Sequence, residues 1–204
     1  MPRYHMTKTL LESWQYTFDC FEEGEEQARE DFLRTLNRQG AEITEAMQNG
    51  QDFEDRVYRL ANGETVRSDA RWLTGAQAIA DIIRGAQIQV VARRDIEVDG
   101  MTFEVMGILD ALKAGVIYDV KFLNKSMGGV DLGGKYLNCS QHPAYFYIVP
   151  EAMEFQYLVS DGEDVYIETY LREQSRHIGE FIRDFIASIK GMGLLDLYKA
   201  KWAL

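Results

Sequence analysis

The sequence predicts an α/β chain of the α+β type, with a mixed central sheet built on an antiparallel meander and flanked by helices. Three observations lead there. Residues 87–122 read as three consecutive strands joined by two tight glycine turns, amphipathic helical stretches lie on either side, and a further strand pair brackets Asp161-Gly162.

The elements follow in chain order. Thr9-Leu10-Leu11-Glu12 fits a capping box and opens a helix through about Cys20. A second helical stretch covers about 25–47, and a third follows Gly50 as DFEDRVYRLA, with Phe53, Val57 and Leu60 at core-facing spacing. Thr74 to Gly85 reads as a capped helix closed by glycine. QIQVVARRDIEV is a strand that turns at Asp99-Gly100 into MTFEVMGILDAL, and Lys113-Ala114-Gly115-Val116 turns that into VIYDVKF. A Gly-rich loop (Met127 to Gly134) leads to a helical segment near 136–149. EFQYLVSD and DVYIETYL are two more strands, and SRHIGEFIRDFIASIK is a last helix with Ile178, Phe181, Ile182, Phe185 and Ile189 on one side. No internal repeat or linker interrupts the 204 residues, so one domain over 1–204 is expected.

Composition narrows the function. Apolar residues at 46% and charged residues at 27% are ordinary for a globular protein. No segment has the length of a membrane span, and the start lacks the apolar run of a signal peptide, so a cytoplasmic location without membrane partners is expected. A net charge of −11 argues against broad polyanion binding but leaves room for a local basic groove, for which Arg93, Arg94, Lys125 and Lys135 are candidates. The acidic run FEEGEEQAREDF reads as a solvated helix face. Cys20 and Cys139 are the only cysteines, simplest as free thiols, and too few for a zinc or iron–sulfur site. His5, His142 and His177 lack mutual metal-ligand spacing, and His142 reads as an exposed surface residue. Trp14, Trp72 and Trp202 offer faces for stacking on unpaired bases, but core packing is the default reading for most of them.

The segment GILDALKAGVIYDVK carries the chemistry. If Lys113 pairs with Val116, Asp110 stands directly opposite Asp119, and Lys121 shares the face of Asp119. Two facing carboxylates destabilise a bare sheet, and a divalent cation is the candidate that would hold them together with the ammonium. An exposed Asp119–Lys121 ion pair is the duller reading of the same residues.

Helix, three strands, helix, strand, with Asp on the second strand and Asp-x-Lys on the third, resembles the PD-(D/E)XK nuclease superfamily and its restriction-endonuclease-like core. GQDFEDRV looks like the helix-borne acidic motif of that family, which implies Glu54 as a third acid. Gln141-His142-Pro143-Ala144-Tyr145 matches the Gln-x-x-x-Tyr signature of the RecB-like branch, and MTKTLLESWQYTFDC is similar to the first helix of RecB-like exonucleases. The resemblance implies Mg²⁺ or Mn²⁺ on Glu54, Asp110, Asp119 and the carbonyl of Val120, Lys121 acting on the attacking water, and Gln141 and Tyr145 in support. It implies an exonuclease on DNA ends in phage or bacterial recombination or repair, with an endonuclease using the same site still open, and a recombination or annealing protein or further copies of the chain as partners. The cysteine quartet of some relatives is absent, so no iron–sulfur cluster is expected. Pro143 suits the signature only if its helix begins near Ser140, with proline in the first turn. The rival reading is a noncatalytic module of the same fold that binds DNA or a protein.

Overall fold

The computed structural model describes residues 2–19, 24–40, 42–128 and 130–204. The three expected meander strands are β2 (Gln87–Val98), β3 (Met101–Lys113) and β4 (Val116–Phe122), antiparallel in sequence. Both turns hold two residues with positive φ, Asp99 (50°) and Gly100 (76°), then Ala114 (51°) and Gly115 (80°). That backbone matches the right-handed twist of the flanking strands, which is why glycine stands second in each. One strand precedes the meander, β1 (Arg3–Thr7), and two follow it, β5 (Glu154–Ser160) and β6 (Val165–Leu171). Among the described residues they form one six-stranded mixed sheet in the order β1-β3-β4-β5-β6, with β2 paired to β3.

One edge of β3 carries β2 along almost its whole length, and the other edge is shared by two strands. Parallel β1 covers Thr102–Met106, antiparallel β4 covers Ala111–Lys113, and Gly107 to Asp110 pair with neither. The hairpin also changes faces there. Side chains two apart on a strand share a face, yet Val90 and Leu109 pack into one core cluster, while Ile88 and Ala111 pack into the other. Between them lie Gln89, at φ 56°, and Asp110. The local irregularity lets the sheet open at Asp110 without exposing either core.

Helices cover both sides: α1 (Lys8–Asp19), α2 (Glu25–Leu36), α3 (Glu45–Ala61), α4 (Leu73–Ile83), α5 (Gln141–Ile148), α6 (Ile178–Gly191) and α7 (Leu195–Trp202). Phe53, Val57 and Leu60 of α3 pack with α4 on one face, and α1, α5, α6 and α7 contribute to the core on the other. Several boundaries differ from the sequence reading. The cap of α1 is Thr7, whose Oγ1 accepts from Leu10 N–H (3.3 Å), so the Thr9–Glu12 capping box does not form and Glu12 is free to face elsewhere. The single stretch 25–47 is two helices: Thr44 caps a new one by accepting from Met47 N–H, and that helix runs through Gly50. Thr74 is inside α4, which starts after Trp72 in a left-handed conformation. Tyr136 to Asn138 lie in turns, and α5 begins only at Gln141. Neither β1 nor α7 was expected from sequence. Cys20, the expected end of α1, and Phe21 to Glu23 of the acidic run lie outside the described residues; downstream, Ala28, Phe32 and Leu36 of that run's helix are buried. No described helix is long and apolar enough to cross a membrane.

Candidate active site

The ladder between β3 and β4 runs Lys113↔Val116, Leu112↔Ile117, Ala111↔Tyr118 and then stops. One step further would set Asp110 across from Asp119, as the sequence suggested, but the strands part at that step. Asp110 Oδ2 instead accepts from the backbone N–H of Val120 at 2.8 Å. A side-chain carboxylate thus takes the place of the strand partner.

Asp119 is buried, and its neighbours come from its own strand and from two distant places in the chain. Lys121 Nζ lies 2.5 Å from Oδ2, Lys8 Nζ lies 4.0 Å from Oδ1, and Gln141 Nε2 donates to Oδ1. Burial, then the negative charge of Asp119, raises the Asp110 carboxyl to about 7. Burial works to lower Lys121, but Asp119, with help from Asp110, holds the ammonium well above the ordinary lysine range. The aromatic wall behind Lys121 is Tyr157, 6.0 Å from Nζ, stacked on Tyr136 at 4.1 Å between centroids.

Glu54 belongs to the same cluster. Burial raises its proton affinity, Lys121 and Lys8 oppose that, and Asp119 adds to it. Three residues that sequence reading missed complete the group. Glu12 of α1 is raised by burial, with Lys8, Lys121 and Asp119 as its charged neighbours, and Lys8 Nζ stands 3.9 Å from Glu12 Oε1. Tyr58 is pushed up by burial and by Asp110 and Glu54. A signal existed for each: Lys8 and Glu12 are an i, i+4 pair, and so are Glu54 and Tyr58. Helices from both sides of the sheet therefore reach one another's charges where β3 is unpaired.

Helix α5 resolves the proline question. Ser140 precedes its first residue, so Pro143 sits in the first turn, where no amide hydrogen is needed. Gln141 points at Asp119, whereas the Tyr145 hydroxyl donates to the carbonyl of Ile108 at 2.8 Å, inside the unpaired stretch of β3. The Tyr145 ring lies against Gly107, where a Cβ would meet Cε1 at 2.3 Å. His142 is not exposed, contrary to the sequence reading. It is buried, stacked on Tyr170 at 4.3 Å, with Nδ1 3.3 Å from the Tyr157 hydroxyl, because the first turn of α5 packs on the aromatics of β5 and β6. Burial lowers it to about 4.

The basic candidates divide. Lys135 is exposed and lines a cleft of 410 Å³ with Glu12, Tyr16 and Cys139, beside the cluster. Lys125 is exposed in the loop after β4; the neighbouring Asn124 bonds Asn49 and the Ala46 carbonyl of α3, which fixes that loop near the helix carrying Glu54. Arg93 and Arg94 lie on β2, the far edge of β3 from β4. Arg94 bonds the Tyr147 carbonyl (3.2 Å) and sits over that ring, so it braces α5.

As placed, no three His, Cys, Asp or Glu side chains among the described residues stand close enough to hold an ion. The donor chemistry nevertheless fits Mg²⁺ or Mn²⁺. Glu54, Asp110 and Asp119 offer hard oxygens, and Asp119 Oδ2 is buried without a hydrogen bond of ordinary geometry, paired in charge with the Lys121 ammonium.

No family model matches the chain, and no curated protein matches it. Among solved structures the chain is similar to SSO0001, with a TM-score of 0.53, 12% identity, and coverage of 93% of this chain and 76% of the other. LHK-Exo in complex with dAMP is also similar in fold, with a TM-score of 0.47, 12% identity, and coverage of 92% and 90%. At such identity the likeness to SSO0001 concerns the fold alone.

Proposed function

We propose that the chain is a divalent-metal-dependent nuclease of the PD-(D/E)XK superfamily, RecB-like in its signature, that acts on DNA from an end. The observation that carries this reading is the meeting of Asp110, Asp119, Lys121, Glu54 and Gln141, drawn from four separate elements, at the unpaired stretch of β3. A structural ion pair needs only Asp119 and Lys121. It gives no reason for two more acids and a buried glutamine to be brought to the same place.

The residues divide the work. Glu54, Asp110, Asp119 and the Val120 carbonyl would hold Mg²⁺ or Mn²⁺, which supplies an acidified water and charge neutralisation at the phosphate. Asp110 is locked by the Val120 N–H, so its carboxylate is oriented before any ligand arrives. Lys121 provides positive charge for the phosphorane-like transition state and an N–H donor that orients the attacking water. Gln141 orients Asp119. Tyr145 acts at one remove, by fixing the Ile108 carbonyl and hence the course of β3 into Asp110. Lys135 borders the cluster, Lys125 lies in the loop held against α3, and both would meet backbone phosphates.

The acidic balance of −11 favours one other reading, a noncatalytic module that engages a protein partner. A time course on end-labelled linear and covalently closed circular DNA, with Mg²⁺, Mn²⁺ or chelator, separates the two. Progressive shortening of linear DNA, blocked by chelator and with circles intact, is the expected result. Circles cut as fast as linear DNA would remove the exonuclease assignment, and no cleavage with either metal would remove the nuclease.

A further inference from the structure

The sequence motifs leave Lys8 unused, yet it is built into the cluster. It is the first residue of α1, immediately after Thr7, the last residue of β1 and the partner of Met106. The next residue of β3, Gly107, begins the stretch without a partner on that edge, so Lys8 leaves β1 where the sheet opens. The Thr7 Oγ1 cap holds the first turn of α1 in register with the strand. Its ammonium stands 4.0 Å from Asp119 Oδ1 and 3.9 Å from Glu12 Oε1, with a side chain only 25% exposed.

Charge balance says what this lysine does. Glu12, Glu54, Asp110 and Asp119 are four carboxylates, and Lys8 and Lys121 are the two ammonium groups beside them. With every group ionised the cluster is left at −2, the charge that one divalent ion neutralises. We propose that Lys8 is a second active-site cation that shares Asp119 with Lys121 in the metal-free protein and competes with a divalent ion for that carboxylate. The inference rests on the nuclease reading above. Lys8 is a positioning residue in this role: it acts through Asp119 and Glu12, and it sets how strongly the acids draw a metal. Glu12, one turn along the same helix, keeps the displaced ammonium within the site.

The test is Mn²⁺ binding without DNA, followed by the paramagnetic resonance of free Mn²⁺, for the wild type, Lys8→Met, Lys8→Gln and Lys8→Arg. Circular dichroism checks that each variant is folded. Removing one positive charge from within several ångströms of the ion should tighten binding on the order of three- to tenfold in Lys8→Met and Lys8→Gln. Lys8→Arg, which keeps the charge, should stay within about twofold of the wild type on the same argument. Unchanged Mn²⁺ affinity in both neutral variants overturns the role of Lys8 while wild-type cleavage of DNA leaves the nuclease reading standing. A wild type that neither binds Mn²⁺ nor cuts DNA overturns that reading, and the role of Lys8 with it.

Discussion

Asp110 Oδ2 accepts a hydrogen bond from the Val120 backbone N–H at 2.8 Å, and this bond stands where the β3–β4 ladder ends. A carboxylate inserted between two strands does two things together. It satisfies an amide that would otherwise be buried without a partner, and it brings an acid to the gap into which Asp119, Lys121, Glu54 and Gln141 project their charge or hydrogen bonds. The break in the sheet and the collection of charged groups are one feature.

That feature makes stability depend on pH. Burial and Asp119 raise Asp110 to about 7, above its unfolded value of 3.8, and Glu12 and Glu54 are raised by burial as well. Raised acids contribute stability that is present at low pH and lost as pH rises through the folded value. His142, lowered to about 4 by burial, works the other way below 6.5, so the acids are read most cleanly above that pH. In chelator the melting temperature should fall between pH 6.5 and 8, and Asp110→Asn should flatten that slope. A slope unchanged in Asp110→Asn would place its source elsewhere.

Divalent metal should counter the same repulsion. Mg²⁺ or Mn²⁺ binding to the folded state alone raises the melting temperature by mass action. Asp119→Asn should lose both this stabilisation and DNA cleavage. Thermal melts with and without metal read the first, and gel assays the second; stabilisation that survives in Asp119→Asn would locate the ion away from Asp119.

Lys121 should matter more for turnover than for substrate binding. Lys121→Ala should lower kcat by on the order of 10²–10⁴ for a positioned electrostatic or acid–base group, with KM little changed. Steady-state kinetics on linear DNA measure both. Near-normal turnover would return Asp119–Lys121 to a structural ion pair.

Gly107 should tolerate no side chain. A Cβ there meets Tyr145 Cε1 at 2.3 Å and Ile148 Cδ1 at 3.2 Å, so Gly107→Ala should cost about 1–3 kcal/mol through overpacking. Tyr145→Phe keeps the ring but loses the hydroxyl bond to Ile108, and should cost about 1 kcal/mol. Denaturant melts of the single and double variants measure both effects. Full stability in Gly107→Ala would mean that the ring moves freely, and that Tyr145 does not brace β3.

The sequence by itself determined the meander, its two glycine turns and the Lys113↔Val116 register, because turn chemistry and period-two alternation are local. It also grouped the candidate residues that follow from spacing, since Asp110, Asp119 and Lys121 lie within one hairpin; where the helix of Gln141 and Pro143 begins was left to the structure, which starts it at Gln141. Other features were decided only in the tertiary structure. Strand β1 is five residues long and is stabilised by pairing with distant β3, so no local pattern marks it strongly. Thr7 rather than Thr9 caps α1 because the chain arrives there as a strand, and this frees Glu12 for the cluster. Lys8 and Glu12 carry no motif; they matter because β1 delivers α1 to the gap in β3. His142 reads as a surface polar residue until the aromatics of β5 and β6 close over it. Local spacing specifies hairpins and helix turns, since their contacts lie a few residues apart. Burial and charge at the site come from residues a hundred positions apart, as with Lys8 and Asp119, and only packing brings those together.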